Sequence, residues 1–408
     1  MAVRPGYKQT EVGVIPADWQ VRKLGKLATF KTGPFGSALH RSDYKDDGIP
    51  VVNPMQILNG KIVPTRSMAI TPEAARKLSD FLLPEGSIVI GRRGDMGRCA
   101  IVESEQKGWL CGTGSMIIRP DASSDARFLQ RMLSSPPIIA EIENASVGTT
   151  MVNLNQRTLG NLLLPLPPQK GEQEAIAGVL NDADALIESL EQLLAKKRQI
   201  KQGAMQELLA GKKRLPGFST EWNRIAFGEI VRPRKQRVDP RRSGPHEFCI
   251  ELENIEQGTG CLSGFVTTGE ESSLKSVFQK GDVLFGKLRA YLRKYWLADR
   301  DGVCSTEIWV LTASRPQLIP PFLFQIVRMN RFIEAASEAY GTHMPRSDWN
   351  VVKTYEVLLP SIAEQTAISS VLADMDEEIA VLETKLAKAR QIKQGMMQEL
   401  LTGRIRLV

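Results

Sequence analysis

Two loops of this chain carry side chains suited to contacts with nucleic acid. One loop, residues 91–98, combines arginine with glycine, and the other, residues 286–296, alternates cations with aromatic residues. Guanidinium groups pair with phosphates and with guanine edges, and aromatic rings stack on bases. A basic surface hairpin without a partner is the alternative interpretation of both loops. The predicted DNA contacts here are Arg92, Arg93, Arg98, Lys287, Arg289, Tyr291, Arg293 and Lys294.

Other polar segments add candidates to this set. Residues 149–153 and 342–346 precede two long helical stretches and carry hydroxyl, amide and basic side chains that could reach base edges. A basic cluster that begins at Arg232 supplies phosphate contacts of the sequence-independent kind. Ordinary turns and solvated loops are the alternative for these segments. The further candidates are Lys31, Thr32, Ser37, Arg41, Thr149, Thr150, Asn153, Arg234, Lys235, Thr342, His343 and Arg346.

Residues for metal or nucleotide chemistry are sparse. The three histidines lie far apart in sequence, and the five cysteines include no C-x-x-C pair. This pattern argues against a zinc site and a disulfide framework, and it is typical of reduced thiols. The glycine-rich segment 31–37 has neither the G-x-x-x-x-G-K-[ST] nor the G-x-G-x-x-G spacing of phosphate-binding loops. The residues therefore predict no metal centre and no nucleotide site.

The bulk composition is that of a globular protein. A chain of 408 residues is long enough for two or three domains with cores of their own. No apolar run approaches the ~18 residues of a membrane span, and the N-terminus lacks a signal-peptide core. With reduced thiols, these features favour a cytoplasmic protein. The formal net charge of +7 favours a polyanionic partner, although many basic proteins bind no nucleic acid.

The elements that must position these loops include a segment that occurs twice. Residues 172–215 return as residues 364–407 without a gap, and 28 of the 44 positions are identical. In both copies apolar residues recur at spacings of four and three, which predicts a long helix with a coiled-coil seam. About 38 residues of helix extend roughly 55–60 Å. The obvious partner for each helix is the other, packed antiparallel. Packing of each seam on a globular domain is the alternative.

Both copies of the helix keep the basic sequence Arg-Gln-Ile-Lys-Gln-Gly. Its retention exceeds what solubility requires, and a common partner surface presented twice would explain it. A solvated helix face is the alternative. The predicted partner contacts are Arg198, Gln199, Lys201, Gln202, Arg390, Gln391, Lys393 and Gln394.

The regions before the two helices correspond more loosely. Trp19 matches Trp222 and Gly91 matches Gly286, at offsets that fall towards the 192 residues between the helices. Short β-branched or aromatic runs predict strands beside a few short helices, so each region is α+β. Framework positions agree while the residues between them differ, as expected for one scaffold with two recognition tasks. The predicted domains are residues 1–168 and 215–360, with helices over 169–214 and 361–408.

Three features together resemble a known family over essentially the full chain. They are Thr32–Ser37 with Gly48–Pro54, Gly281–Arg289 with Tyr291–Lys294, and twin helices ending in Met-Gln-Glu-Leu-Leu-x-Gly. With the duplication, they resemble the specificity subunit of type I restriction-modification systems. The resemblance implies two homologous, β-rich target recognition domains, joined by two long antiparallel coiled-coil helices with pseudo-twofold symmetry.

The resemblance also implies a function and partners. Each domain would read one half of a bipartite, asymmetric site in double-stranded DNA. The helices would dock two modification (methyltransferase) subunits, and restriction subunits would join the full complex. The chain itself would be non-catalytic, with S-adenosylmethionine used by the partner to methylate adenine N6. Asn53-Pro54-Met55 departs from the Asn-Pro-Pro-aromatic motif of amino-methyltransferases. A self-sufficient DNA methyltransferase and a coiled-coil interaction scaffold are the alternatives.

Overall fold

The computed structural model describes residues 4–35, 38–145, 154–269, 273–338 and 345–407. The chain divides into two compact units: unit 1 contains residues 1–190 and 385–408, and unit 2 contains residues 191–384. Each unit holds one globular domain and segments of two 39-residue helices. Each of these helices begins in one unit and ends in the other.

Unit 1 is built mainly from short strands and helices. Its strands are β1 (Tyr7–Thr10), β2 (Gly13–Pro16), β3 (Gln20–Lys23), β4 (Ala28–Thr32), β5 (Ile49–Val52), β6 (Ile57–Leu58), β7 (Lys61–Ile62), β8 (Ala69–Ile70), β9 (Ile88–Gly91), β10 (Cys99–Ile101), β11 (Leu110–Cys111), β12 (Ser115–Pro120) and β13 (Leu163–Leu166). Its helices are α1 (Pro72–Lys77), α2 (Ala126–Leu133), α3 (Pro136–Asn144), α4 (Gln156–Asn161) and the first part of α5 (Lys170–Leu208).

The main sheet of unit 1 has four antiparallel strands in the order β10-β9-β12-β4. Its central strand β9 is buried on both faces, because Ile88 and Ile90 pack with Phe128 of α2 while Val89 packs with Val52 of β5. Burial on both faces explains the unbroken apolar run in the sequence. Smaller sheets surround it: β11-β5-β8, β13-β3, β6-β7 and β1-β2.

Unit 2 repeats this plan. Its strands are β14 (Asn223–Ala226), β15 (Val231–Pro233), β16 (Arg237–Val238), β17 (Cys249–Ile250), β18 (Lys275–Phe278), β19 (Val283–Gly286), β20 (Tyr295–Leu297), β21 (Gly302–Ser305), β22 (Ile308–Ala313) and β23 (Glu356–Leu359). Its helices are α6 (Phe227–Ile230), α7 (Pro240–Ser243), α8 (Pro320–Arg328), α9 (Asn330–Ser337), α10 (Trp349–Val352) and the first part of α11 (Ile362–Leu400).

The strand order of unit 2 matches that of unit 1. The sheet β15-β22-β19-β20 has the same order as β4-β12-β9-β10, and a second four-stranded sheet is β16-β18-β21-β17. In β19, Val283 and Phe285 face the core that contains α8, and Leu284 faces the core that contains Val310. The predicted α+β class is confirmed for both domains, and the loosely corresponding halves share one scaffold.

Within each unit, the two helix segments run antiparallel and their ends pack on the domain. In unit 1, Asp184 binds Lys393 at 2.5 Å, and Glu172, nearer the start of α5, binds Arg406 beyond the end of α11. The first and last turns of both long helices are buried in the domain cores. At its two ends, therefore, each apolar seam packs on a globular domain, which was the alternative to pairing between the helices. These core residues are Ile176, Leu180, Leu400 and Leu401 in unit 1, and Ile368, Leu372, Leu208 and Leu209 in unit 2.

A buried glutamine fixes the start of each long helix. In unit 2, the side chain of Gln365 accepts a hydrogen bond from Ile319 N at 3.0 Å and donates to Gln317 O at 2.6 Å and Pro360 O at 2.9 Å. Gln173 occupies the equivalent position in unit 1 and makes the same kind of contacts with Asp125 N, Ser123 O and Pro167 O. One amide side chain thus satisfies three backbone groups where the long helix meets the domain.

The substitution Gln365→Leu tests this anchor. Leucine keeps the volume but leaves the three backbone groups without a partner, so the free energy of unfolding should fall by about 2–4 kcal/mol. Urea denaturation, followed by circular dichroism, measures the loss. Gln391→Leu, at an exposed position of the same helix, is the matched control and should change stability by less than about 0.5 kcal/mol. Equal effects of the two changes would contradict the anchoring role.

Candidate nucleic-acid interface

The predicted contact loop of unit 2 connects β19 to β20 and has a fixed backbone. Gly286 N donates to Lys294 O at 2.8 Å and closes the loop at its base. On its flank, Arg289 N donates to Pro345 O at 2.9 Å, and Ser347 N donates to Lys287 O at 2.8 Å. Arg289 has a φ of 54°, in the left-handed region that non-glycine residues rarely adopt. The loop is therefore held in one shape by its surroundings.

The side chains of this loop divide into two groups. Arg289 and Tyr291 extend into solvent, and the Tyr291 side chain is 53% exposed. Arg293 instead donates to Asn330 Oδ1 at 2.9 Å, and Lys294 donates to Leu252 O at 2.7 Å. Arg289 and Tyr291 are placed to touch a ligand, whereas Arg293 and Lys294 hold the loop in shape. Lys287 is half-buried.

Arg346 lies beside the same loop and has a carboxylate partner. Its guanidinium donates to both carboxylate oxygens of Glu307, at 2.9 and 3.3 Å, and this pairing raises the pKa of Arg346. The backbone of Arg346 pairs with Leu288 across the loop. Arg346 thus joins the flank of the loop to the turn before β22.

Arg234 and Lys235 follow β15 and differ in environment. The guanidinium of Arg234 binds the buried carboxylate of Asp282 through two hydrogen bonds, at 2.9 and 3.0 Å. Gln279 N donates to the same carboxylate at 2.8 Å. The guanidinium of Arg234 is therefore bound to a partner within its own domain, whereas the side chain of Lys235 is exposed.

In unit 1 the equivalent loop follows β9. Arg92 N donates to Gly114 O at 2.8 Å, and the Arg92 side chain donates through Nε to Leu154 O at 2.9 Å. Burial, with repulsion from Arg93, lowers the pKa of Arg92. Arg93 is exposed, and Arg98 pairs with Asp95. As in unit 2, one cation reaches solvent while its neighbours hold the loop.

The end of β4 lies beside this loop. Thr32 Oγ1 accepts a hydrogen bond from Gln156 Nε2 at 3.0 Å, and Gly33 N donates to Ser115 O at 3.0 Å, next to the Gly114 carbonyl that Arg92 binds. Thr32 and Arg92 therefore share one rim of the domain. Lys31 lies 3.3 Å from Asp80 and over the ring of Phe81.

Some predicted contacts fall where no side chain is described. Arg41 is the first residue of a short 3-10 turn, Arg41–Asp43, and only the backbone of Arg41 itself is described. The predicted residues Ser37, Thr149, Thr150, Asn153, Thr342 and His343 lie outside the described residues.

The predicted partner surface on the helices has an intrachain role for its cations. Arg198 binds Glu383 at 2.6 Å, and Lys201 binds Asp376 in unit 2. The equivalent Lys393 binds Asp184 in unit 1, and Arg390 also interacts within the chain. Burial and repulsion from Arg328 lower the pKa of Lys201. The glutamines of the set, Gln199, Gln202, Gln391 and Gln394, are exposed and stay predicted partner contacts.

Two kinds of residue at these rims were not predicted from the sequence. Gln156 and Asn330 hold predicted contact residues in place, and only tertiary structure reveals those pairings. Phe35 and Met55 are exposed large apolar residues on the rim of unit 1. Their positions within the glycine- and proline-rich segments were the available signal, because such segments favour exposed turns.

The described part of the chain offers neither a cluster of metal ligands nor a membrane-spanning helix. Within it, no group of three or more His, Cys, Asp or Glu side chains could hold a metal ion. Likewise, no described helix is long and apolar enough to cross a membrane. All five cysteines are free, and burial raises the pKa of Cys99 and of Cys111 to about 12.

Comparison with known proteins identifies the family. Residues 16–201 and 257–391 match the family model described as the type I restriction modification DNA specificity domain. The chain belongs to this family. It is 23% identical to a putative type I restriction enzyme MjaX specificity subunit of Methanocaldococcus jannaschii, over 98% of this chain and 97% of the relative. It is 22% identical to the EcoDI specificity subunit of Escherichia coli, over 96% and 90%.

Solved structures agree on the fold. The type I S subunit of M. genitalium superimposes with a TM-score of 0.60 at 17% identity, covering 98% of both chains. A chain from a study of type I complex assembly superimposes with a TM-score of 0.54 at 17% identity, covering 96% of this chain and 99% of the other. The family match confirms the predicted function class, a DNA specificity subunit, and neither alternative function is supported.

Substituting an exposed loop arginine tests whether that residue contacts the ligand or holds the loop in shape. Arg93→Ala or Arg289→Ala should each reduce the slope of log K against log salt concentration for DNA binding by about one, because one phosphate contact is lost. Neither change should alter the melting temperature. Fluorescence anisotropy of labelled site DNA, titrated at several salt concentrations, measures the slope.

Arg234→Ala is the matched control among the loop cations. It leaves the buried Asp282 carboxylate without its cation, although the hydrogen bond from Gln279 N remains, so the free energy of unfolding should fall by about 2–3 kcal/mol. The salt slope of the folded fraction should stay as in the parent chain. If Arg234→Ala changed the salt slope and Arg289→Ala did not, the assignment of brace and contact would be reversed.

Proposed function

We propose that each domain reads one part of a bipartite, asymmetric DNA site, and that the helices hold the two domains and dock two modification (methyltransferase) subunits. Restriction subunits would complete the assembly, and the cytoplasm, where its DNA substrate lies, is the expected location. One observation carries the proposal. The two domains repeat the same braced loop, after β9 and after β19, but present different side chains from it.

The matching braces make this observation specific. Gly91 N donates to Arg98 O at the base of the first loop, as Gly286 N does to Lys294 O in the second, both at 2.8 Å. Leu154 N donates to Arg92 O just as Ser347 N donates to Lys287 O. A conserved frame with altered tips is what two readers of different base sequences require.

The chain itself is proposed to be non-catalytic, with S-adenosylmethionine bound by the modification subunit. Asn53 of the Asn-Pro-Met sequence supports this, because its side chain has a structural role. Its Oδ1 accepts a hydrogen bond from Gly114 N at 3.2 Å, and the backbone N–H of Asn53 donates to Gln56 Oε1 at 3.2 Å in the turn that follows. An amide held in this way is not free to bind an adenine amino group.

The deciding experiment is a methyl-transfer assay with purified subunits. We expect no transfer from labelled S-adenosylmethionine to genomic DNA by the chain alone, and transfer when the modification subunit is added. Mapping methylated adenines by long-read sequencing then gives the site. Transfer by the chain alone would overturn the proposal. Methylation without sequence preference in the complex would remove the chain's proposed role in recognition.

Helix length is proposed to set the gap between the two half-sites. Inserting four residues into both α5 and α11 adds roughly 6 Å by helical rise, which is about 2 bp at ~34 Å per ~10 bp turn. Methylome mapping should show the gap longer by that amount, with both half-sites unchanged. Four substitutions at exposed helix positions, without insertion, are the control and should leave the gap as it is. An unchanged gap in the insertion variant would show that helix length does not set the gap between the half-sites.

A further inference from the structure

Two apolar side chains of unit 1, those of Phe35 and Met55, are far more exposed to solvent than the others. Phe35 is 76% exposed and Met55 is 77% exposed, whereas the other exposed large apolar side chains of the described residues range from 36% to 58%. Water-exposed apolar groups on a folded chain are common singly, but a group of them marks a contact surface. The question is therefore whether these two side chains form a group.

Two hydrogen bonds place the segments that carry both residues on one rim. Gly33 N donates to Ser115 O at 3.0 Å, and Gly114 N donates to Asn53 Oδ1 at 3.2 Å. The backbones approach so closely that a Cβ at Gly33 would lie 1.9 Å from the Gly112 carbonyl oxygen. Phe35 follows Gly33 by two residues, and Met55 follows Asn53 by two. We call this pair, Phe35 and Met55, the apolar tip.

The base of the apolar tip is rigid. Pro34 is buried beside Phe35. Next to Met55, the buried Gln56 closes a capping box with Asn53 and donates to Thr65 Oγ1 at 3.0 Å. A backbone that is already ordered by such contacts adds little further conformational entropy cost to binding. The apolar tip is thus prepared for a contact.

The surroundings of the apolar tip identify its occupant. Arg92, whose backbone binds Gly114 on the same rim, lies next to the exposed Arg93. Cations favour a polyanion, and the apolar surface that a DNA duplex offers is found on its bases. In unit 2, the matching capping box runs from Glu251 to Asn254 and places the exposed Glu253 where unit 1 has Met55. The apolar tip therefore belongs to one domain only.

We propose that Phe35 and Met55 act as a wedge that enters a base step in the half-site read by the unit 1 domain. The inference rests on the proposed function. Phenylalanine and methionine are among the side chains that DNA-bending proteins insert between bases, where they partly unstack the step and kink the duplex. Pyrimidine–purine steps unstack most readily, so one such step is expected at the point of entry.

The test uses the complex of the full chain with its modification subunits and a duplex carrying the mapped site. 2-Aminopurine is placed at successive positions through both half-sites and the gap. We expect a fluorescence increase of several-fold at one step in a single half-site, in addition to any increase at the methylated adenine. Replacing both residues (F35A/M55A) should abolish the first increase, retain the second, and weaken site binding roughly 10- to 100-fold.

Three controls make the result decisive. The F35A/M55A chain should keep the parent melting temperature and salt slope, because neither side chain is buried or charged. Val14→Ala, at an exposed apolar position of the same domain, should leave fluorescence and affinity unchanged. Replacing thymine by uracil tests for a methyl contact: loss of affinity with no fluorescence change at any step would overturn the wedge.

The wedge and the proposed function fail in different ways. If the parent complex binds its site specifically but F35A/M55A binds it equally well, with the same fluorescence, the wedge is wrong and the function stands. If the parent complex shows no preference for the mapped site over scrambled DNA, the proposed function fails.

Discussion

The docking of each long helix on its domain depends on one buried amide side chain at the start of that helix. Gln173 in unit 1 and Gln365 in unit 2 each bind backbone groups of a loop in the domain and a carbonyl in the segment before the helix. The glutamate before each glutamine adds an ion pair with the arginine that follows the other long helix, Arg406 or Arg214. A helix docked by apolar contacts alone could slide, whereas directional hydrogen bonds fix its register.

The same geometry accounts for the near identity of the repeated segment. Each helix begins in one unit and ends in the other, so every pairing between helix segments uses one residue from the first half of a copy and one from the second half of the other. Asp184 binds Lys393 in unit 1, and Asp376 binds Lys201 in unit 2. Both copies must therefore keep the aspartate and the lysine. This requirement explains the retained lysines without a partner subunit, whereas the contacts of the described chain give no such explanation for the exposed glutamines beside them.

How much the sequence predicts depends on where each residue's partner lies. Buried strands such as β9 can be predicted because their apolar residues are contiguous in the sequence. The long helices can be predicted because their apolar residues recur at regular spacings of four and three. Arg92 and Arg234 look like any other loop cation in the sequence, since the acceptors that hold them, Leu154 O and the Asp282 carboxylate, lie 62 and 48 residues away. The sequence therefore identifies the loops, but it does not separate the residues that hold a loop in shape from those that are exposed for contact.

That separation suggests how such a domain changes its DNA target. Arg92 and Lys294 donate to main-chain carbonyls, and substituting either leaves that carbonyl without its donor. Arg93, Arg289 and Tyr291 are exposed, so replacing them should change stability by less than about 0.5 kcal/mol, and on the proposed function it would alter the side chains that the loop offers to DNA. On the proposed function, selection on fold and selection on specificity would act on different residues of the same loop, and the tips could diverge while the frame stays constant.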